Sequence, residues 1–215
     1  MIQFPSRRTP LVFVIALAAI VMAACAASPA VSPAGTTGPS ADHFETNCPT
    51  SQPPALGAGE TRTVELTTSL GTITLKIDGD LSPIAAGNFV ALASCGYYDG
   101  VFFHRVVPGF VIQGGDPTGT GSGGPGYTIQ DEAVTTAYHR GTLAMARTQA
   151  PNSQGSQFFI VLDDGAAQSL GSANTYAIFG EVSGGMDTVD GIAAAADAEL
   201  PSNPIAMTKV TVTNP

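Results

Sequence analysis

Alternation with a period of two constrains this chain most tightly. Val64 and Leu66 alternate with polar neighbours, Ser69-Leu70-Gly71 breaks the run, and Ile73, Leu75 and Ile77 resume it. Successive side chains of an extended strand point to opposite faces, so the pattern predicts a hairpin of half-buried strands starting near Thr61. Further short apolar runs follow at roughly 101–106, 111–115, 142–146, 157–161, 176–182 and 206–212, separated by loops rich in Gly, Pro, Asn and Asp. Those residues supply turn geometry. Ser82-Pro83 gives a cap with proline at the first helical position, and Ala85, Phe89 and Leu92 fall at i, i+4, i+7. A helix to about Ser94 is predicted there, stopped by Gly96, and a second near 186–195. This is an all-β dominated domain, most simply an eight-stranded antiparallel barrel or sandwich plugged by two helices.

The beginning of the chain carries a different message. Arg7 and Arg8 precede an uninterrupted apolar run from Leu11 to Ala24. The run is shorter than the ~20 residues a spanning helix needs and ends in small residues, so residues 1–24 read as a signal peptide. Met22-Ala23-Ala24-Cys25 resembles a bacterial lipobox, which makes Cys25 the expected lipidation site. A plain cleavable signal with an incidental cysteine is the alternative. The expected location is outside the cytoplasm, anchored to a bacterial membrane through that lipid. Residues 25–60 hold mainly Ser, Pro, Ala, Gly and Thr and read as a flexible tether, with the folded domain over 61–215.

Charge and cysteine usage narrow the function classes. Loss of residues 1–24 removes two of eight basic residues and none of seventeen acidic ones, leaving 6 − 17 = −11 with His neutral. No basic cluster survives, which excludes phosphate-driven nucleic-acid binding. Acyl chains are left as the membrane link, because an acidic surface is repelled by anionic headgroups. With Cys25 spent on lipid, Cys48 and Cys95 form an even pair in an oxidising compartment, where a disulfide is expected. Isolated buried thiols are the alternative. His43, His104 and His139 show no metal-ligand spacing, and two cysteines are too few for a zinc site, so neither metal nor cofactor is expected.

Candidate chemistry concentrates in two stretches. F-H-R-V-V-P-G-F-V-I-Q-G-G-D, residues 103–116, holds one guanidinium, Arg105, beside Phe110, Val111 and Gln113. G-S-Q-F-F-I-V, residues 155–161, adds Gln157 and Phe159. Arg105 can donate hydrogen bonds without any proton transfer, although a rim arginine paired with a carboxylate fits the same pattern. Phe110, Val111, Phe159 and Leu170 fit a core equally well. A buried amide without partners costs about 1–3 kcal/mol, so Gln113 and Gln157 should bond to backbone, to each other or to a ligand. Gly119-x-Gly121-x-x-Gly124 matches a dinucleotide fingerprint only formally, because Pro125 and Gly126 intervene where a helix should start. His104 should face inward, opposite Arg105. Asp163-Asp164 reads as a solvated turn. No G-x-S-x-G elbow is present, so a hydrolase has little support.

The run at 103–116, N-S-Q-G-S-Q-F-F-I at 152–160 and Y-A-I-F-G-E-V at 176–182 resemble, in order and spacing, the signature stretches of cyclophilins, the cyclophilin-type peptidyl-prolyl cis-trans isomerases. The resemblance covers about residues 61–213. It implies an eight-stranded closed antiparallel barrel capped by two helices and prolyl isomerase activity without cofactor. With the export signal, the expected partners are proline-containing peptides and partly folded exported proteins, and a monomer is expected. By motif position, Arg105 matches the family's catalytic arginine, and Phe110, Val111 and Phe159 its proline pocket, with Val111 replacing a commoner methionine. Gln113 and Gln157 match polar positions beside that pocket. Ala146 and Arg147 match the segment along the bound peptide, with Arg147 where many members have asparagine. The chain has no tryptophan, so the pocket-side indole of some members is absent, with Ser169 near that place. Leu170 matches an apolar pocket residue, and Tyr176 stands where many members have histidine. A proline-peptide binding module with negligible turnover is the competing reading.

Overall fold

The computed structural model describes residues 47–213. The expected signal peptide, the lipidation site Cys25, His43 and the tether up to residue 46 lie outside the described residues. The chain order is β1 (Thr61–Thr68), β2 (Gly71–Asp78), α1 (Pro83–Ser94), β3 (Arg105–Val107), β4 (Val111–Gly114), β5 (Thr142–Met145), β6 (Phe158–Val161), α2 (Asp164–Ala173), β7 (Ile178–Gly184), α3 (Met186–Ala195) and β8 (Lys209–Thr213). All eight strands join one antiparallel sheet in the order β3-β4-β6-β5-β7-β2-β1-β8.

The predicted hairpin forms in the register its alternation demands. Val64 lies opposite Leu75 and Leu66 opposite Ile73, and all four are buried. The same alternation on β4, β5 and β6 splits their side chains between two apolar clusters. Ile112, Leu143 and Ile160 join the main core with Phe89 of α1. Val111, Ala144, Phe159 and Val161 join a second cluster with Leu170 and Ile178. Two-sided burial is what turns one face of this sheet into a candidate site.

The ladder does not close, contrary to the barrel expected from the family resemblance. β3 and β8 are the two edges of the sheet. A single bridge, Phe102 to Ala206, and the bonds Phe103 N–H to Ile205 O (2.9 Å) and Val106 N–H to Glu199 O (2.8 Å) span the gap. The covering segment carries Pro201 and Pro204, which have no N–H to donate and cannot extend a ladder. The result is a half-barrel whose open seam is closed by irregular chain.

Helix α1 forms where predicted, but Ser82 makes no side-chain cap bond. Glu132, distant in sequence, accepts instead from Ile84 N–H and Ala85 N–H, both at 2.8 Å. A third helix was not expected. Asp163, read as part of a solvated turn, is the N-cap of α2 and accepts from Gly165 N–H. The helix is weakly marked in sequence because Gly165, Gly171, Ser169 and Ser172 dilute its propensity and only Ala166 and Leu170 are buried.

Residues 48–60, assigned to the tether by composition, pack on the domain. Cys48 is disulfide-bonded to Cys95. Leu56 is buried and donates its N–H to Pro83 O at 2.9 Å. A Cβ on Gly87 would collide with Pro54 O, so the strap lies directly on α1.

Candidate functional site

Strand register builds the site. Arg105 on β3 lies opposite Gln113 on β4, Gln113 opposite Phe159 on β6, and Phe159 opposite Ala144 on β5. Directly opposed residues share a face of the sheet, so a cation, an amide and an aromatic ring form one row. Val111 and Phe159 are buried in the second cluster, and Phe110, Ala146 and Tyr176 pack half-buried against it.

Leu170 reaches this cluster from α2, a helix the sequence did not announce. Tyr176 stacks edge-on against Phe159, with ring centroids 5.4 Å apart. Tyr138 holds it there: its hydroxyl donates to Tyr176 O (2.8 Å) and accepts from Tyr176 N–H (3.2 Å). Burial raises the Tyr138 phenol above its ordinary value, so it stays protonated and able to donate.

Both amides find partners, as their cost of burial requires. Gln113 Nε2 donates to Gln157 Oε1 at 2.9 Å. Gln157 Nε2 donates to the carbonyls of Gly121 (3.0 Å) and Gly123 (2.9 Å). The glycine-rich loop is therefore a rim of the site and holds no helix. Asp116 shapes it from beneath, accepting from Thr118 N–H (2.7 Å), Thr118 Oγ1 (2.7 Å) and Gly123 N–H (3.0 Å). Burial alone would raise the Asp116 carboxyl, but hydrogen bonds from Gly123 and Thr118 outweigh it and hold the group below its ordinary value. His104 is buried, as expected, beside the backbone of Phe102 and the side chain of Gln157. Burial pushes its imidazole below the ordinary value, against the opposing pull of Asp116.

Beside the row lies a cleft of about 380 Å3, lined by Gln113, Gln157, Gly121, Gly123, Ala146 and Arg147 among others. The Arg147 head group is spent on bracing loops: it donates to Thr148 O (3.1 Å), Ala150 O (2.9 Å) and Thr175 O (3.3 Å) and pairs with Asp131 at 3.2 Å. Arg105 differs. Its Nε donates to Glu199 Oε1 at 2.7 Å, and its terminal amines make no hydrogen bond with any described residue. Both readings of Arg105 thus have a basis in its contacts, since it pairs with a rim carboxylate and also shares a face with Gln113 and Phe159.

Sequence reasoning missed Ala144, Val161, Tyr138, Ile178 and Glu199. For Val161 the signal existed, because period two places it on the face of Phe159, whereas Ala144 joins that face only through the pairing of β5 with β6. Tyr138 and Glu199 arrive from irregular segments with no periodicity to read. Among the described residues, no group of three or more His, Cys, Asp or Glu side chains could hold a metal ion. No described helix is long and apolar enough to cross a membrane.

An apolar floor, a guanidinium beside it and a rim of amides and carbonyls suit gripping a peptide and easing rotation about one of its bonds. The family model for cyclophilin type peptidyl-prolyl cis-trans isomerase/CLD matches residues 63–212. The peptidyl-prolyl cis-trans isomerase ppi1 of Schizosaccharomyces pombe is 41% identical over 152 residues, covering 68% of this chain and 96% of that relative. The peptidyl-prolyl cis-trans isomerase-like 3 of Dictyostelium discoideum is 40% identical over 156 residues, covering 69% and 94%. A crystal structure of a Cryptosporidium parvum cyclophilin type peptidyl-prolyl cis-trans isomerase superposes with a TM-score of 0.65 at 34% identity, covering 72% of this chain and 99% of that one. A second structure of that protein, in the presence of the dipeptide Ala-Pro, gives 0.64 at the same identity, covering 71% and 99%. The chain belongs to the cyclophilin-type peptidyl-prolyl cis-trans isomerases, and its activity is the cis-trans isomerisation of X-Pro bonds.

Proposed function

We propose that Arg105 is the catalytic cation of this isomerase and that its clients are partly folded exported proteins. The enzyme works as a monomer outside the cytoplasm, held to a bacterial membrane through a lipid on Cys25. The observation that carries the catalytic part is the shared row of Arg105, Gln113 and Phe159 beside a second apolar cluster. The charged n-region, the apolar run to Ala24 and the lipobox-like Met22-Ala23-Ala24-Cys25 support the location.

An X-Pro bond prefers trans by only about 0.5–1 kcal/mol, yet interconverts over tens to hundreds of seconds. Its barrier of ~18–20 kcal/mol reflects lost amide resonance. At the twisted state the proline nitrogen regains its lone pair and becomes a hydrogen-bond acceptor. Arg105 donates to that nitrogen through its terminal amines. Phe110, Val111, Phe159 and Leu170 hold the pyrrolidine ring, with Tyr176 as a wall. Gln113 and Gln157, with the backbone at Ala146 and Arg147, hold the flanking peptide. The interaction exists only once the nitrogen has pyramidalised, so it lowers the barrier without deepening the ground state.

Arg105→Ala should reduce kcat/KM by at least about ten-fold, a floor set below the ~10²–10³ that loss of one transition-state donor costs in an oxyanion hole. A protease-coupled isomerisation assay on a proline test peptide measures this, with circular dichroism to verify folding. A folded variant as fast as the parent would remove Arg105 from the mechanism. Mass spectrometry of the protein from its native membrane reads the modification of Cys25.

A further inference from the structure

The seam that leaves the half-barrel open brings a carboxylate to Arg105. Val106, next to Arg105, donates its N–H to Glu199 O at 2.8 Å, and Phe103 donates to Ile205 O at 2.9 Å. The backbone carrying Glu199 is thereby fixed to the edge of β3 on both sides of the arginine. Its conformation is further set by a turn in which Asp197 Oδ1 accepts from Ser202 N–H at 2.9 Å, and by Pro201 and Pro204. Glu199 is exposed, yet it springs from a braced support. Its carboxylate takes Nε of Arg105 at 2.7 Å and leaves both terminal amines without a bond to any described residue.

We infer that Glu199 is a positioning residue for the isomerisation: it holds the guanidinium by Nε so that the terminal amines are presented to the peptide. The inference rests on the catalytic reading of Arg105 given above. Two effects of the carboxylate oppose each other. Its charge weakens the cation as a donor, but the side chains are 34% and 60% exposed, so that influence is screened by water. Fixing the fork removes rotamer freedom that a long arginine would otherwise lose on reaching the transition state, and misplacement of a reacting group is costly. Orientation outweighs charge here. A neutral acceptor of the same length should therefore do most of the work.

The test compares Glu199→Ala, Glu199→Gln and Arg105→Ala by protease-coupled isomerisation, with kcat and KM separated and thermal unfolding recorded. Glu199→Ala should lower kcat about two- to five-fold, within the range of a solvated charged contact, with KM nearly unchanged. Glu199→Gln should restore most of the loss, and in an Arg105→Lys background, which lacks the Nε fork, Glu199→Ala should add nothing further. Equal turnover of Glu199→Ala and parent, or faster turnover, overturns the positioning role while Arg105→Ala remains slow. If Arg105→Ala itself keeps full turnover, the catalytic reading fails and this one falls with it.

Discussion

At the scale of single residues, Asp116 shows how a buried carboxylate can hold a binding rim in place. Its oxygens collect the N–H groups of Thr118 and Gly123, and the carbonyls of Gly121 and Gly123 then face Gln157. A Cβ on Gly123 would collide with Asp116 Oδ1, so Gly123→Ala should displace the loop and weaken peptide binding through KM. The folded carboxyl sits below its ordinary 3.8, so its stabilisation is complete above that value and is lost as pH falls through the lower folded value. Asp116→Asn should lower the thermal midpoint at neutral pH and flatten the acid limb of midpoint against pH below about 4. His104 acts in a higher window. Its folded value lies below 6.5, so the stability it contributes begins to fall once pH drops under 6.5.

At the scale of elements, capping separates what local pattern specifies from what it only suggests. Ser82-Pro83 marks the start of α1 correctly, since proline has no N–H to leave unsatisfied there. The cap itself comes from Glu132, whose carboxylate also faces the positive end of the helix. Glu132→Ala should cost about 0.5–2 kcal/mol, measured by urea unfolding, the usual range for loss of a cap. Ser82 Oγ is buried and has no hydrogen-bond partner among the described residues, so Ser82→Ala should be nearly neutral. Equal losses from both substitutions would contradict this division. The second helix was illegible for a related reason. Glycines and serines erase its pattern, and the burial of Ala166 and Leu170 against β6 and its neighbours stabilises what propensity would not.

At the scale of the whole molecule, the Cys48–Cys95 disulfide converts the end of the tether into part of the domain. The two residues are 47 apart in sequence, so the bond stabilises by about 4 kcal/mol in the chain-entropy model. Cys48→Ser with Cys95→Ser should lower stability by up to that amount. Isomerase activity should survive below the lowered midpoint, because the strap packs on α1 and the cation row lies on β3, β4 and β6. An inactive but fully folded double variant would show that the strap supports the site through Gln52, whose Oε1 accepts from Gln130 N–H (3.0 Å) beside Asp131, the partner of Arg147.

Alternation fixed most of the strands, since period two is a local consequence of backbone geometry and survives any arrangement of the rest. Arg105, Phe110, Gln113, Gln157 and Phe159 came into view by another local signal, the two motif stretches at 103–116 and 152–160 that resemble the family's. That the sheet stays open was decided by tertiary structure, through a proline-bearing segment that covers the seam with one bridge and a few backbone bonds in place of a ladder. The partners of Arg105, Tyr176 and the first turn of α1 were decided in the same way. Glu199, Tyr138 and Glu132 are far away in sequence and lie in irregular chain, where no periodicity exists to carry their position. Only folding, which trades loop entropy for contacts between distant segments, could bring them there.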